Sequence, residues 1–298
     1  MVTGASGFLG RHLVHALRDQ GREVVLLSGD IRDPASYSPL LAAGDSVFHL
    51  AAVRNHPRVR VRDMEEVNVN ATAELARRSL EARVGRFVHV STAFIHKPFG
   101  AYTDSKARAV LEIRRLASEG LQAVTVCPTI VFGPDHPSHP NRITSEIRRL
   151  LRQRVLLVLA GGRQARNLVY VDDVVRGLLA AEQRGTVGEE YVLGGEEIAP
   201  RDFGRLVLSL AGLRPVATLS LPAGPALAAA RIADRMQRLP TSDPGSGYAT
   251  AVQILLREWR FSSDRARQDL GYRPLPLTEG LSHTIEWLRA ANGCLEMG

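Results

Sequence analysis

Three glycines spaced three apart, set between a short apolar start and an apolar-striped helix, constrain this chain more than any other feature. It opens Val2-Thr3-Gly4-Ala5-Ser6-Gly7-Phe8-Leu9-Gly10 and continues Arg11-His12-Leu13-Val14-His15-Ala16-Leu17. Glycines at 4, 7 and 10 fit a tight strand-to-helix turn. In such a turn the backbone approaches a pyrophosphate and sets it on a helix N-terminus. Phe8, Leu9, Leu13, Val14 and Leu17 then recur at helical spacing. Glycine spacing alone is a weak signal, and the amphipathic helix behind it gives it weight.

The second informative feature is a lysine. Lys97 and Lys106 are the only lysines, and 36 of the 38 basic residues are arginine. Lys106 closes the segment Ala101-Tyr102-Thr103-Asp104-Ser105-Lys106. A composition that has otherwise moved to arginine has kept a compact ammonium here, and the two cations are not interchangeable. On a helix, Tyr102 and Lys106 share one face, one turn apart. A phenol beside a cation ionises more readily and can serve as a proton donor near neutral pH. The bland alternative is a surface pair on an exposed helix, and the glycine turn upstream argues against it.

Further segments occur in order along the chain. They are Gly29-Asp30-Ile31-Arg32-Asp33, Val47-Phe48-His49-Leu50-Ala51-Ala52, Asn68-Val69-Asn70-Ala71-Thr72 and Phe87-Val88-His89-Val90-Ser91-Thr92. Beyond them come Cys127-Pro128-Thr129-Ile130-Val131-Phe132-Gly133-Pro134 and Arg166-Asn167-Leu168-Val169-Tyr170-Val171-Asp172-Asp173. With the glycine turn and the Tyr-x-x-x-Lys, this series resembles the extended short-chain dehydrogenase/reductases, also called the NAD-dependent epimerase/dehydratase family. The resemblance runs through nearly the whole chain. Ala71 stands where the family usually has glycine.

The resemblance implies a set of roles. Tyr102 is the central acid/base, and Lys106 binds the nicotinamide ribose and lowers the Tyr102 pKa. Thr92 positions the substrate oxygen, in preference to Ser91, and Asn68 supports Lys106 through backbone or water contacts. The cofactor is expected against Gly4, Ser6, Gly7, Phe8, Leu9, Gly10 and Arg11, with Asp30, Ile31 and Arg32 at the adenosine end. Leu50, Ala51, Ala52, Pro128, Thr129 and Val131 complete that surface. Substrate is expected beside Thr92, Phe94, Ile95, His96 and Tyr102. No metal is expected.

Alternation of strands and helices to about residue 133 argues an α/β Rossmann-type, doubly wound parallel sheet. Expected strands are Glu23–Leu27, Ser46–Leu50, Phe87–Val90, Ala123–Cys127 and Tyr191–Leu193, with Val155–Ala160 a further one. Expected helices lie at 9–19, 64–83, 104–118 and 141–152. A smaller, mostly helical substrate lobe has helices near 172–183, 200–211, 223–238 and 278–291. The division falls near residue 160, giving a dinucleotide domain over 1–160 and a substrate lobe over 161–298, with some interleaving. Proline and glycine clusters at 214–225 and 239–247 suggest loops and a lid.

Two departures from the family matter. Only Met1 and Val2 precede the glycine turn, and Val24–Leu27 runs straight into Ser28-Gly29-Asp30. Strands 1–3 are therefore expected to be shortened, or the chain lacks segments that the family carries. The missing interval normally holds the residue that chooses between NAD and NADP. Ser28 offers no carboxylate to a ribose hydroxyl, and Arg11 and Arg32 stand nearby, so NADP is the expected cofactor, with NAD as the alternative.

Composition narrows the rest. Apolar content of 45% suits a globular core. The two cysteines, Cys127 and Cys294, cannot build a disulfide framework, and no leader pattern or long apolar run is present, so a cytoplasmic location is expected. The net charge of +7 stems from scattered arginines without a recognition helix, so no nucleic-acid partner and no membrane partner are expected. A homodimer remains open. Asp135-His136-Pro137-Ser138-His139-Pro140 reads as a rigid loop, Asp172 and Asp173 as structural, and Leu221–Ala233 as core or lid.

The function expected is NADPH-dependent reduction of a ketone on a small apolar or aromatic molecule, such as a polyketide or other secondary metabolite. Thr92 is followed by Ala93-Phe94 rather than the dehydratase Asp-Glu, and Val126-Cys127-Pro128-Thr129 stands where sugar enzymes often carry Tyr-Phe-Asn. A nucleotide-sugar epimerase or dehydratase is the alternative, and a non-catalytic dinucleotide-binding protein a second one.

Overall fold

A computed structural model describes residues 1–54, 59–136, 140–236 and 248–293. In chain order the first elements are β1 Val2–Thr3, α1 Phe8–Asp19, β2 Ser46–His49, α2 Val61–Met64 and α3 Thr72–Glu81, the last two joined by a π-helical stretch Glu65–Ala71. Next are β3 Arg86–Val90, α4 Ala101–Ser118, β4 Ala123–Pro128, β5 Ile130–Phe132, α5 Arg142–Gln153 and β6 Val155–Leu159. Then come β7 Arg166–Tyr170, α6 Val171–Arg184, β8 Glu190–Leu193, β9 Glu196–Ile198, α7 Pro200–Leu210 and β10 Ala217–Leu221. The last helices are α8 Ala223–Met236, α9 Tyr248–Leu255, α10 Asp264–Leu270 and α11 Leu277–Gly293.

The main sheet is parallel, in the order β1-β2-β3-β4-β8. The four strands β1 to β4 are buried on both faces, as a doubly wound sheet requires, while the edge strand β8 buries only Tyr191 and Leu193. The row Phe48, Val88 and Val124 packs toward α1 and α6. The adjacent row Val47, Phe87 and Ala123 packs toward α3 and α4. One further row is polar: Thr3, His49, His89 and Thr125 face each other across four strands, all buried.

The expected strand at Glu23–Leu27 is reduced to a single bridge between Leu26 and Val2. Val2 N donates to Val25 O at 2.8 Å and Leu27 N to Val2 O at 3.0 Å. β1 has only two residues, so it offers no longer edge to pair with. The shortening read from the sequence is thus present in the sheet. The helix expected at 64–83 begins at Val61 and contains the π-helical stretch, while that expected at 104–118 begins at Ala101.

The remaining elements form two small sheets, β5-β7-β9 and β6-β10, with α5, α7 and α11 packed on them through Ile147, Phe203, Val207, Leu281 and Ile285. Two expectations change here. The cluster at 214–225 holds a strand, β10, paired in parallel register with β6, because Leu219 and Leu221 meet Leu157 and Leu159. The stretch Leu221–Ala233 is not core: α8 buries only Ala230 of its residues, while Ile232 and Leu221 are exposed. Helices α9 and α10 have no counterpart among the helices expected from the sequence. The cluster at 239–247, residues 237–238 of the helix expected at 223–238, and Cys294 lie outside the described residues, as do residues 137–139 of the rigid loop. Among the described residues no helix is long and apolar enough to cross a membrane.

Candidate active site

The C-terminal ends of β1 to β4 open into one cleft of about 1420 Å³. At one end is the glycine turn. Gly4 has φ +68°, and a Cβ there would lie 2.7 Å from Ala51 N. A Cβ on Gly10 would come within 2.2 Å of Gly4 O. These positions admit only hydrogen, because the turn, the loop after β2 and α1 touch backbone to backbone. Gly7 caps α1 without a side-chain acceptor, and the first turn carries no acid. Its amides are therefore left for an external anion. Arg11 braces the turn by donating to Ser6 O at 2.8 Å. The residues fit a bound dinucleotide: the floor is bare backbone, and a helix start faces the space.

The cleft lining includes Gly4, Ser6, Gly7, Phe8, Leu9, Gly10 and Arg11, then Asp30 and Ile31, then Leu50, Ala51 and Ala52, and finally Pro128, Thr129 and Val131. Arg32 is not among them. Its guanidinium grips Asp30 through both carboxylate oxygens at 3.0–3.1 Å and lies 3.7 Å from Glu66. That pairing holds Asp30 down to about 2 and leaves Arg32 a poor partner for a phosphate. Arg18 lines the cleft instead, further along the α1 face that carries Arg11. The spacing of Arg11 and Arg18 is the sequence signal that could have found it. Arg54 and Asn141 also line the cleft, and nothing in their sequence neighbourhoods announces them.

At the other end stand Thr92, Tyr102 and Lys106. Thr92 follows β3 and caps a short 3-10 turn, Ala93–His96, accepting from Phe94 N at 3.4 Å. Its hydroxyl proton remains available to a ligand. Tyr102 and Lys106 lie in the first turns of α4, on one face as the spacing requires. Lys106 is 2% exposed and donates to Val90 O at 2.7 Å. Burial pulls its pKa down to about 8, with Cys127 opposing.

The expected electrostatic coupling between them takes a different form. Burial pushes the Tyr102 phenol up, and the charge that opposes this is Arg54, not Lys106. The Lys106 ammonium is turned to the strand end and the buried His49 and His89 rings, both of which burial and then its charge keep neutral. Among the described residues no direct hydrogen bond joins Asn68 to Lys106. Asn68 clamps Val53 through N and O (2.8 and 3.0 Å) and donates to Ser105 Oγ at 3.0 Å, so it acts on the residue before the lysine. A π-helical stretch around it is a common device for aiming such a side chain.

Phe94, Ile95 and His96 do not line the cleft. The 3-10 turn swings them away. Phe94 packs edge-on against Phe99, Trp259 and Phe261, with ring centroids 5.7, 4.7 and 5.3 Å distant. His96 faces Glu190 at 3.8 Å. The paired acids also separate. Asp172 meets His12 at 3.3 Å, while Asp173 is buried and accepts from Leu275 N at 3.1 Å. They tie α6 to α1 and to the chain before α11.

Known proteins resemble this chain in sequence and fold. The family model described as "NAD dependent epimerase/dehydratase family" matches residues 1–194. A 4-hydroxy-2-methyl-3-oxo-4-farnesyl-3,4-dihydroquinoline-1-oxide ketoreductase from Stigmatella aurantiaca is 28% identical, covering 91% of this chain and 90% of that protein. A dTDP-glucose 4,6-dehydratase from Streptomyces antibioticus is 27% identical, covering 97% and 92%. The solved structure of MoeE5 in complex with UDP-glucose and NAD is 25% identical with a TM-score of 0.75, covering 98% of each chain.

Proposed function

The chain belongs to the NAD dependent epimerase/dehydratase family, the extended short-chain dehydrogenase/reductases, and on that premise we propose that it is an NADPH-dependent reductase of a ketone on a small apolar or aromatic molecule. Membership of the family, with the activities of its relatives, makes it an NAD(P)-dependent oxidoreductase of this type. The observation that carries the proposal is that Thr92, Tyr102 and Lys106 share one cleft with the glycine turn.

In the proposed reaction, the dinucleotide supplies the hydride when bound. The Tyr102 phenol gives its proton to the substrate oxygen. The Thr92 hydroxyl donates to that same oxygen and fixes its position. Arg54 supplies the positive charge that offsets the phenolate left behind, while Lys106 holds the end of β3 beneath Thr92 through the Val90 carbonyl. Asn68 holds the Val53 turn against α4, so that these groups keep their spacing. Gly4, Gly7 and Gly10 seat the pyrophosphate, while Arg11 and Arg18 with Ser28 favour a 2′-phosphate over a bare ribose. Residues 1–160 would bind the cofactor and 161–298 the substrate, with β8 returned to the first sheet.

The residues just after Thr92 favour a reductase over a sugar enzyme. Ala93 and Phe94 bring no carboxylate to the stretch after Thr92, where a dehydratase would carry an Asp-Glu pair. The ketoreductase relative, with its farnesylated substrate, supports the same choice. The dehydratase relative is of comparable identity and keeps the sugar alternative under test. Oxidation of NADPH against a panel of aromatic, polyketide and isoprenoid ketones, with UDP-glucose and dTDP-glucose as controls, decides between them. Turnover of ketones alone is the expected outcome. Conversion of a nucleotide sugar with no ketone turnover overturns the proposal.

A further inference from the structure

Behind Thr92, three side chains from distant parts of the chain converge: His96 at the end of the 3-10 turn, Cys127 on β4 and Glu190 at the start of β8. A ring nitrogen, the thiol sulfur and a carboxylate oxygen lie within 4.8 Å of one another. The ordinary explanation covers two of them, since His96 Nε2 lies 3.8 Å from a Glu190 carboxylate oxygen. It leaves the third unexplained. Cys127 is fully buried, and burial together with the nearby carboxylate pushes its ionisation far up. The Ser91 hydroxyl lies buried beside the same thiol.

We propose that His96, Cys127 and Glu190 form a binding site for a divalent ion of the zinc class, with Ser91 or a water as the fourth donor. Thiolate, imidazole and carboxylate together match that ion's preferences, whereas calcium and magnesium take oxygen alone. Glu190 has one oxygen held by Arg114 and the other turned to His96, so the arginine fixes the carboxylate and leaves its second oxygen facing the ring. Tetrahedral zinc with bonds of about 2.0–2.1 Å to N and O places those atoms roughly 3.3 Å apart. His96 is half exposed at the end of a short turn and has room to close the gap. On binding, the thiol proton leaves to solvent and the sulfur bonds the metal. One dication with one thiolate and one carboxylate is neutral, which lets it sit near the Lys106 ammonium.

The site ties the turn Ala93–His96 to β4 and β8 immediately behind the Ser91-Thr92 wall of the cleft. Occupancy would therefore stiffen that wall and stabilise the fold by mass action. Binding itself is the readout, so the site stands or falls independently of the ketone reaction.

The test uses the full chain carrying Cys294→Ser, so that Cys127 is its sole thiol. Cobalt chloride is titrated in and followed by absorption. Expected are a thiolate-to-cobalt charge-transfer band that saturates at one equivalent, its displacement by zinc, and a rise in Tm with either ion. Cys127→Ala should abolish the band, and His96→Ala and Glu190→Gln should each weaken cobalt binding by about tenfold or more. NADPH titration and circular dichroism check that each variant is folded. Should Cys127→Ala fail to fold, the two other variants carry the decision, since each leaves the core intact. No band at stoichiometric cobalt, or affinity unchanged in both His96→Ala and Glu190→Gln, overturns the site.

Discussion

Lys106 donates its ammonium to the Val90 carbonyl at 2.7 Å, at the point where β3 ends and the Ser91-Thr92 wall begins. The lysine thus anchors the end of β3 to α4 from beneath. Its surroundings are cramped: it is 2% exposed, with His49, His89 and Cys127 around its charge. A planar guanidinium is larger than an ammonium and does not fit a site closed around one compact donor. Lys106→Arg should therefore lose about 100-fold or more in kcat/KM despite keeping its charge, and lose about 1–3 kcal/mol of stability from overpacking. Steady-state kinetics and thermal melts check both. An active, stable arginine variant would show that any cation suffices.

The Lys106 pKa sets a pH dependence. Burial lowers it to about 8 from an ordinary lysine value of 10.5. The free enzyme should therefore lose its ammonium as pH rises through about 8, and kcat/KM should fall on that alkaline limb. Stability moves the other way. The folded state binds the proton less readily than the unfolded one, so the cost of burying this charge is full below about 8 and is relieved as pH rises toward 10.5. The limb should vanish or move in Lys106→Met, measured on whatever activity remains. A profile flat to pH 9.5 or so would contradict the assignment.

Tyr102→Phe should reduce kcat by roughly 100-fold or more, because the only change is loss of a proton donor. Phenylalanine fills the same half-buried space at the start of α4, so Tm and NADPH affinity should stay close to wild type. Retention of more than half the activity would remove Tyr102 from the proposed reaction. A parallel fall in cofactor affinity would instead make it a binding residue.

Arg11 and Arg32 should separate in their effects on cofactor choice. Arg32 is already paired with Asp30 and Glu66, whereas Arg11 and Arg18 face the cleft. Each charge-assisted contact to a phosphate contributes about 1.5–3 kcal/mol, so Arg11→Ala or Arg18→Ala should weaken NADPH by about tenfold or more while NADH changes little. Arg32→Ala should leave the ratio of the two nearly unchanged. Calorimetric titration of both cofactors measures this, and equal affinities in the wild type would mean that the 2′-phosphate goes unread.

Sequence alone determined the parts whose cause is local. Glycines at 4 and 10 are dictated by backbone approaching backbone, and a turn that tolerates no Cβ leaves its mark in any chain that makes it. Tyr102 and Lys106 share a face because four residues make one helical turn, so their partnership in one cleft was legible before any fold was known. The abrupt passage from Val24–Leu27 into Ser28-Gly29-Asp30 likewise foretold the stunted edge of the sheet.

Tertiary structure decided what depends on where side chains turn and which strands meet. Thr92 lines the cleft, but the 3-10 turn behind it carries Phe94 to Trp259 and His96 to Glu190, partners 165 and 94 positions away. Arg32 looked like a phosphate ligand because sequence shows charges without their counter-ions, and Asp30 had already claimed it. The direction of the Lys106 ammonium, the row of buried histidines, and the meeting of His96, Cys127 and Glu190 all arise from strand register across the sheet. Register is a property of pairing between distant segments, and no periodicity within one segment records it.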